Sequence, residues 1–125
     1  MILYQFYLPF PVSVNQMYGG GSGQQRFISK KYKAWILSCP KLNPAQISEE
    51  ISVEYIFEWP DKRKRDGNNY TKSVLDYIVK CGVILDDDYS IVAAESWRHM
   101  GVNKGLGRVE VIIRLLSSPD GSPDK

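Results

Sequence analysis

The chain has 125 residues, of which 43% are hydrophobic, with 16 Lys and Arg against 14 Asp and Glu for a net charge of +2. This length fits one domain able to bury a core without cross-links, and the composition excludes a wholly disordered chain. Two cysteines, Cys39 and Cys81, far apart in sequence, exclude a disulfide framework or a cysteine zinc site and suit a reducing cytoplasm, and no apolar run approaches the ~20 residues of a membrane span.

Residues 2–8 are aromatic and branched and stop at Pro9-Phe10-Pro11, which predicts a buried strand. Residues 12–25 contain Asn15 and the run Gly19-Gly20-Gly21-Ser22-Gly23, too glycine-rich for regular structure, and are expected to form a mobile loop. Ser29 can cap a helix running to about Cys39, with Tyr32, Trp35 and Ile36 on one face. Pro40 and Pro44 block its continuation.

From residue 51 to 59, Ile51, Val53, Tyr55, Phe57 and Trp59 alternate with Ser52, Glu54, Ile56 and Glu58, the pattern of a half-buried strand. After Pro60-Asp61 the run Lys62-Arg63-Lys64-Arg65 leads into a helix expected over residues 68–80 and closed by Gly82. Tyr70, Val74, Tyr77 and Ile78 form its apolar stripe, whereas Asn68, Lys72 and Asp76 recur every four residues on a polar face. Residues 91–99 and 108–116 read as two more strands joined by a glycine-containing loop over residues 101–107. The expected fold is α+β, a small mixed sheet with two main flanking helices, in a single domain over residues 1–116 followed by a disordered tail over residues 117–125.

The chemistry concentrates around the second helix. Four successive cations precede Asp66, and Asp86-Asp87-Asp88 follows the helix, so one part can hold a polyanion and another a divalent cation. Asp66 is equally suited to cap the helix, an acidic triplet more often forms a solvated turn than a metal site, and Lys72 can pair with Asp76. In the catalytic reading Lys72 neutralises charge at a phosphate or protonates the leaving oxygen. His99, with no partner in the pattern, stays outside the site.

These residues resemble the RusA-type Holliday junction resolvases, small endodeoxyribonucleases of phages and prophages. The matching pieces are Leu8-Pro9-Phe10-Pro11 with Ser13, Asn15 and Tyr18, the basic run through Asp66, Asn69 and Lys72, Asp76, and Leu85-Asp86-Asp87. The resemblance covers most of residues 1–116 and implies a cytoplasmic homodimer, in the bacterial host cell, that nicks four-way junction DNA symmetrically with Mg2+ or Mn2+. It implies Asp66 and Asp87 as catalytic metal ligands, Lys72 as the catalytic lysine, and DNA contacts from Lys62, Arg63, Lys64, Arg65 and Asn69. Asn68 departs from the pattern, which has its second catalytic aspartate there; the amide can still offer an oxygen but brings no charge. An engineered inactive variant, a natural homologue that no longer cuts and an enzyme with fewer carboxylates all agree with this residue. Two further readings are a junction-binding protein without turnover and a general nucleic-acid module that stacks bases on Tyr4, Tyr7, Phe10 and Tyr18.

Overall fold

A computed structural model describes residues 1–19 and 27–116. The elements are β1 (Ile2–Pro9), β2 (Tyr18–Gly19), β3 (Phe27–Ile28), α1 (Lys30–Ser38), β4 (Ile51–Trp59), α2 (Thr71–Lys80), β5 (Val92–Val102) and β6 (Arg108–Leu115). A four-stranded sheet has the order β1-β6-β4-β5, antiparallel except for the parallel pair β4 and β5, which α2 connects. The mixed sheet and two helices match the architecture expected from the sequence.

The alternation in β4 decides the layering. Val53, Tyr55 and Phe57 join Val109, Val111 and Ile113 of β6 in a core closed by Tyr32 and Trp35 of α1 and Val74, Tyr77 and Ile78 of α2. Ser29 caps α1 by accepting the Tyr32 N–H at 3.0 Å, and Gly82, with φ of +79°, turns the chain out of α2. Polar groups inside the core reach backbone carbonyls: Trp35 Nε1 donates to Pro9 O at 3.0 Å, and Ser73 Oγ to Val12 O at 2.8 Å. Cys39 and Cys81 are free thiols, and burial pushes Cys39 up to about 12. The opposite sheet face is held by ion pairs, with Glu54 between Arg98 at 3.1 Å and Arg114 at 2.8 Å and Glu58 bonded to Arg108 at 2.7 Å.

Four expectations need correction. β1 is not a buried strand: it pairs only with β6 at the sheet edge, and Leu8 alone of its residues is fully buried. The segment expected as a glycine-rich loop holds a short 3-10 turn, Val14–Gln16, and Tyr18–Gly19 pairs with Phe27–Ile28, so Gly19 itself lies in a strand. Gly20 to Gly23 fall outside the described residues, as do residues 117–125. The second α-helix starts at Thr71 rather than Asn68, because Asp66 accepts the Asn68 N–H at 3.1 Å and closes a separate 3-10 turn, Gly67–Asn69. β5 runs past His99 to Val102, with Gly101 at φ of +105°, a backbone that glycine adopts without steric cost.

Candidate active site beside the edge strand

The site is built where β4 hands the chain to α2. Asp61 fixes the connecting segment: it accepts the Arg63 backbone N–H at 2.9 Å and receives Arg65 through Nη1 at 2.7 Å and Nη2 at 3.2 Å. These bonds, the one from Arg65 first, bring the Asp61 carboxyl down to about 2. Only 9% of the Arg65 side chain is exposed, and its guanidinium lies over Phe10 at 5.3 Å and Trp59 at 6.0 Å. The four cations therefore divide: Arg65 fastens the segment to the core, while Lys62, Arg63 and Lys64 are exposed.

The 3-10 turn that follows rests on Trp97 of β5. A Cβ added at Gly67 would collide with Cδ2, Cε2 and Cε3 of the indole, so the buried Gly67 lies flat on the ring. Trp97 Nε1 also donates to Asn68 Oδ1 at 3.0 Å. An indole N–H can only donate, so the amide oxygen of Asn68 faces inward and its NH2 group faces away. Asp66 and Asn69 are exposed, and the Asn69 N–H bonds to Asp66 O at 3.0 Å within the same turn.

Lys72, in the first turn of α2, bonds Asp76 Oδ1 at 3.0 Å. This bond, with the nearby charge of Asp87 adding to it, holds the ammonium above its ordinary value. The phenol of Tyr55, on β4, donates to Glu95 Oε2 of β5 at 2.5 Å. Burial, then Glu95, then the more distant charges of Asp76 and Asp87 push it upward. Within the acidic triplet, Asp86 accepts the Asp87 N–H at 2.7 Å and Asp88 accepts from the Ser90 N–H and hydroxyl, which lowers the Asp88 carboxyl. The Asp87 side chain takes part in neither turn.

The structure thus brings Lys72 and Asp87 into electrostatic reach and places Asp66 and Asn68 on one turn. Among the described residues no group hydrogen-bonds to both the Asp66 and the Asp87 side chains. Nor do three His, Cys, Asp or Glu side chains among those residues converge as a ready-made metal shell. The donors available are carboxylate and amide oxygens, which suit a hard cation bound through one or two carboxylates and water.

Sequence reasoning missed Glu95 and Trp97, and it left out His99. The three alternate along β5 and share one face, a signal present once residues 91–99 are read as a strand. Of the aromatics considered for base stacking, Tyr4 and Phe10 pack against the core, Tyr7 lies 4.0 Å from the Arg108 guanidinium, and Tyr18 is 38% exposed.

A family model described as "Endodeoxyribonuclease RusA" matches residues 9–114. A crossover junction endodeoxyribonuclease of Enterobacteria phage 82 is 31% identical over 90% of this chain and 95% of its own length. Its counterpart in Escherichia coli K12 matches at the same identity and coverage, and that of Enterobacteria phage HK97 is 32% identical over 68% of this chain and 74% of its own.

Proposed function

The chain belongs to the RusA family of endodeoxyribonucleases, and we propose that it acts on four-way DNA junctions as a metal-dependent, structure-selective nuclease. The observation that carries this reading is the position of Lys72, paired with Asp76 and electrostatically coupled to Asp87, one helical turn beyond the turn that presents Asp66 and Asn68.

Lys62, Arg63 and Lys64 hold the phosphate backbone without reading bases, and Asn69 adds a neutral contact. Asp66 and Asp87 would hold Mg2+ or Mn2+, which would supply an activated water and polarise the scissile phosphate, and Asn68 could add only the remaining lone pair of an oxygen already bonded to Trp97. Lys72, a cation held in place by Asp76, would neutralise the phosphate as charge develops or give a proton to the leaving oxygen. Two subunits related by a two-fold axis present two such sites to a two-fold symmetric junction.

A second reading, junction binding without turnover, is favoured by one residue. The Asn68 amide spends its oxygen on Trp97 and brings no negative charge to a cation. Magnesium-dependent nicking of an end-labelled junction separates the two, since both readings give a complex and only the first gives product.

A further inference from the structure

A cleft of about 350 Å3 lies between the basic segment and the far half of β5. Its volume is within the ~300–1,000 Å3 typical of small-ligand sites. Trp59, Trp97, His99 and Val102 line one side, and Asp61 through Arg65 line the other. The proposed nuclease chemistry uses its cations but gives no role to its rings.

The two sides call for different chemistry. Lys62 and Lys64 are exposed and make no ion pair among the described residues, as a phosphate clamp requires. Trp97, with one ring face covered by Gly67, is half-buried and offers the cleft only the rest of its indole, whereas His99, two residues on along the same strand face, is exposed and makes no side-chain hydrogen bond or ion pair among the described residues. A duplex backbone passing over the cations needs none of these rings. A planar heterocycle joined to a phosphate uses both sides at once, stacking on aromatic faces while its backbone neutralises the lysines.

We propose that this cleft receives one unstacked nucleotide of the bound DNA strand, its base against Trp97 and His99 and its flanking phosphates on Lys62 and Lys64. The inference rests on the nuclease reading and extends it. Because Trp97 is bonded to Asn68, the captured nucleotide flanks the phosphate presented to Asp66, Asn68 and Lys72. Branched DNA meets this demand at lower cost than a continuous duplex, since bases at a branch point have lost part of their stacking. Selectivity for junctions, and any preference for the base beside the cut, would then arise in this cleft.

The test uses full-length protein without added divalent metal and four-way junctions carrying one 5-iododeoxyuridine at each position around the crossover in turn. Irradiation should cross-link one or two of these positions to the peptide containing Trp97 and His99, as mapped by mass spectrometry. His99→Ala should lower junction affinity about fivefold or more, the loss expected for one stacked base, without changing thermal stability or the slope of affinity against salt. Cross-links confined to other segments, or His99→Ala leaving affinity unchanged, would overturn the proposal while a shifted junction band kept the nuclease reading. Absence of any complex would remove both.

Discussion

Trp97 donates its indole N–H to the side-chain oxygen of Asn68 at 3.0 Å while its ring supports Gly67. One residue of the edge strand thereby fixes both the path of the turn and the direction in which Asn68 points. The amide directs its NH2 group outward, a donor at the position where the resemblance implies a carboxylate. An aspartate in the same rotamer would keep the Trp97 bond with one oxygen and turn a charged acceptor outward with the other.

That packing can be measured. Trp97→Phe keeps a ring beneath the turn but loses the N–H, and is expected to cost about 0.5–1.5 kcal/mol in urea denaturation. Gly67→Ala forces a Cβ into an indole already packed edge-on against Phe57 at 6.2 Å, for a larger loss of about 1–3 kcal/mol. Combining Gly67→Ala with Trp97→Leu should recover part of that loss. A neutral Gly67→Ala would contradict the close approach.

The cations should behave as two classes. Replacing Lys62, Arg63 and Lys64 by Ala should weaken junction binding uniformly across sequences and flatten its salt dependence by about 0.9 in slope for each phosphate no longer neutralised, with stability nearly unchanged. Arg65→Ala should instead lower thermal stability, because it removes a bidentate bond to Asp61 and a cation over two rings. Equal effects of all four substitutions on salt slope, with none on stability, would refute the division.

Asp61 gives a pH signature. Its carboxyl titrates near 2 when folded, below the ordinary 3.8, so its contribution to stability is fully present above the ordinary value and is lost as pH falls through 2. The difference in melting temperature between the unaltered chain and Asp61→Asn should be constant from neutral pH to about pH 5 and shrink in more acidic solution. A difference that grows as pH falls has the wrong sign for this linkage.

Assembly follows from the two-cut reading. Sedimentation should give twice the chain mass of 14.3 kDa. The α2 stripe does not supply that interface, because Val74, Tyr77 and Ile78 are already buried in the core. A monomer both with and without junction DNA would rule out coordinated cutting of two strands.

Much of the fold was legible because its signals are local. The alternation of β4, the Ser29 cap and the glycine after α2 each act within a few residues, and each is present in the structure. The edge position of β1 was not legible, since its aromatic sequence is the same whether one neighbour or two pairs with it; strand order is a long-range property. In the site, the cationic run and the residue types of the motif are visible along the chain. The division within the run depends on Arg65 reaching Phe10, 55 positions earlier, and the orientation of Asn68 depends on Trp97, 29 residues later. Asp66 carried two readings, and its cap to the Asn68 N–H is present on the 3-10 turn Gly67–Asn69 rather than on α2.

The most direct test of the account is the rate of magnesium-dependent nicking of a labelled four-way junction by this chain and by Asn68→Asp. Restoring a preorganised charge of this kind is worth on the order of 10²–10³ in rate. Asn68→Asp should therefore cut at least that much faster, with the gain abolished by adding Asp66→Asn and with little change in thermal stability. If Asn68→Asp binds the junction but yields no product in magnesium or manganese, the nuclease account is wrong for this chain; if the unaltered chain already nicks as fast as Asn68→Asp, position 68 holds no required ligand.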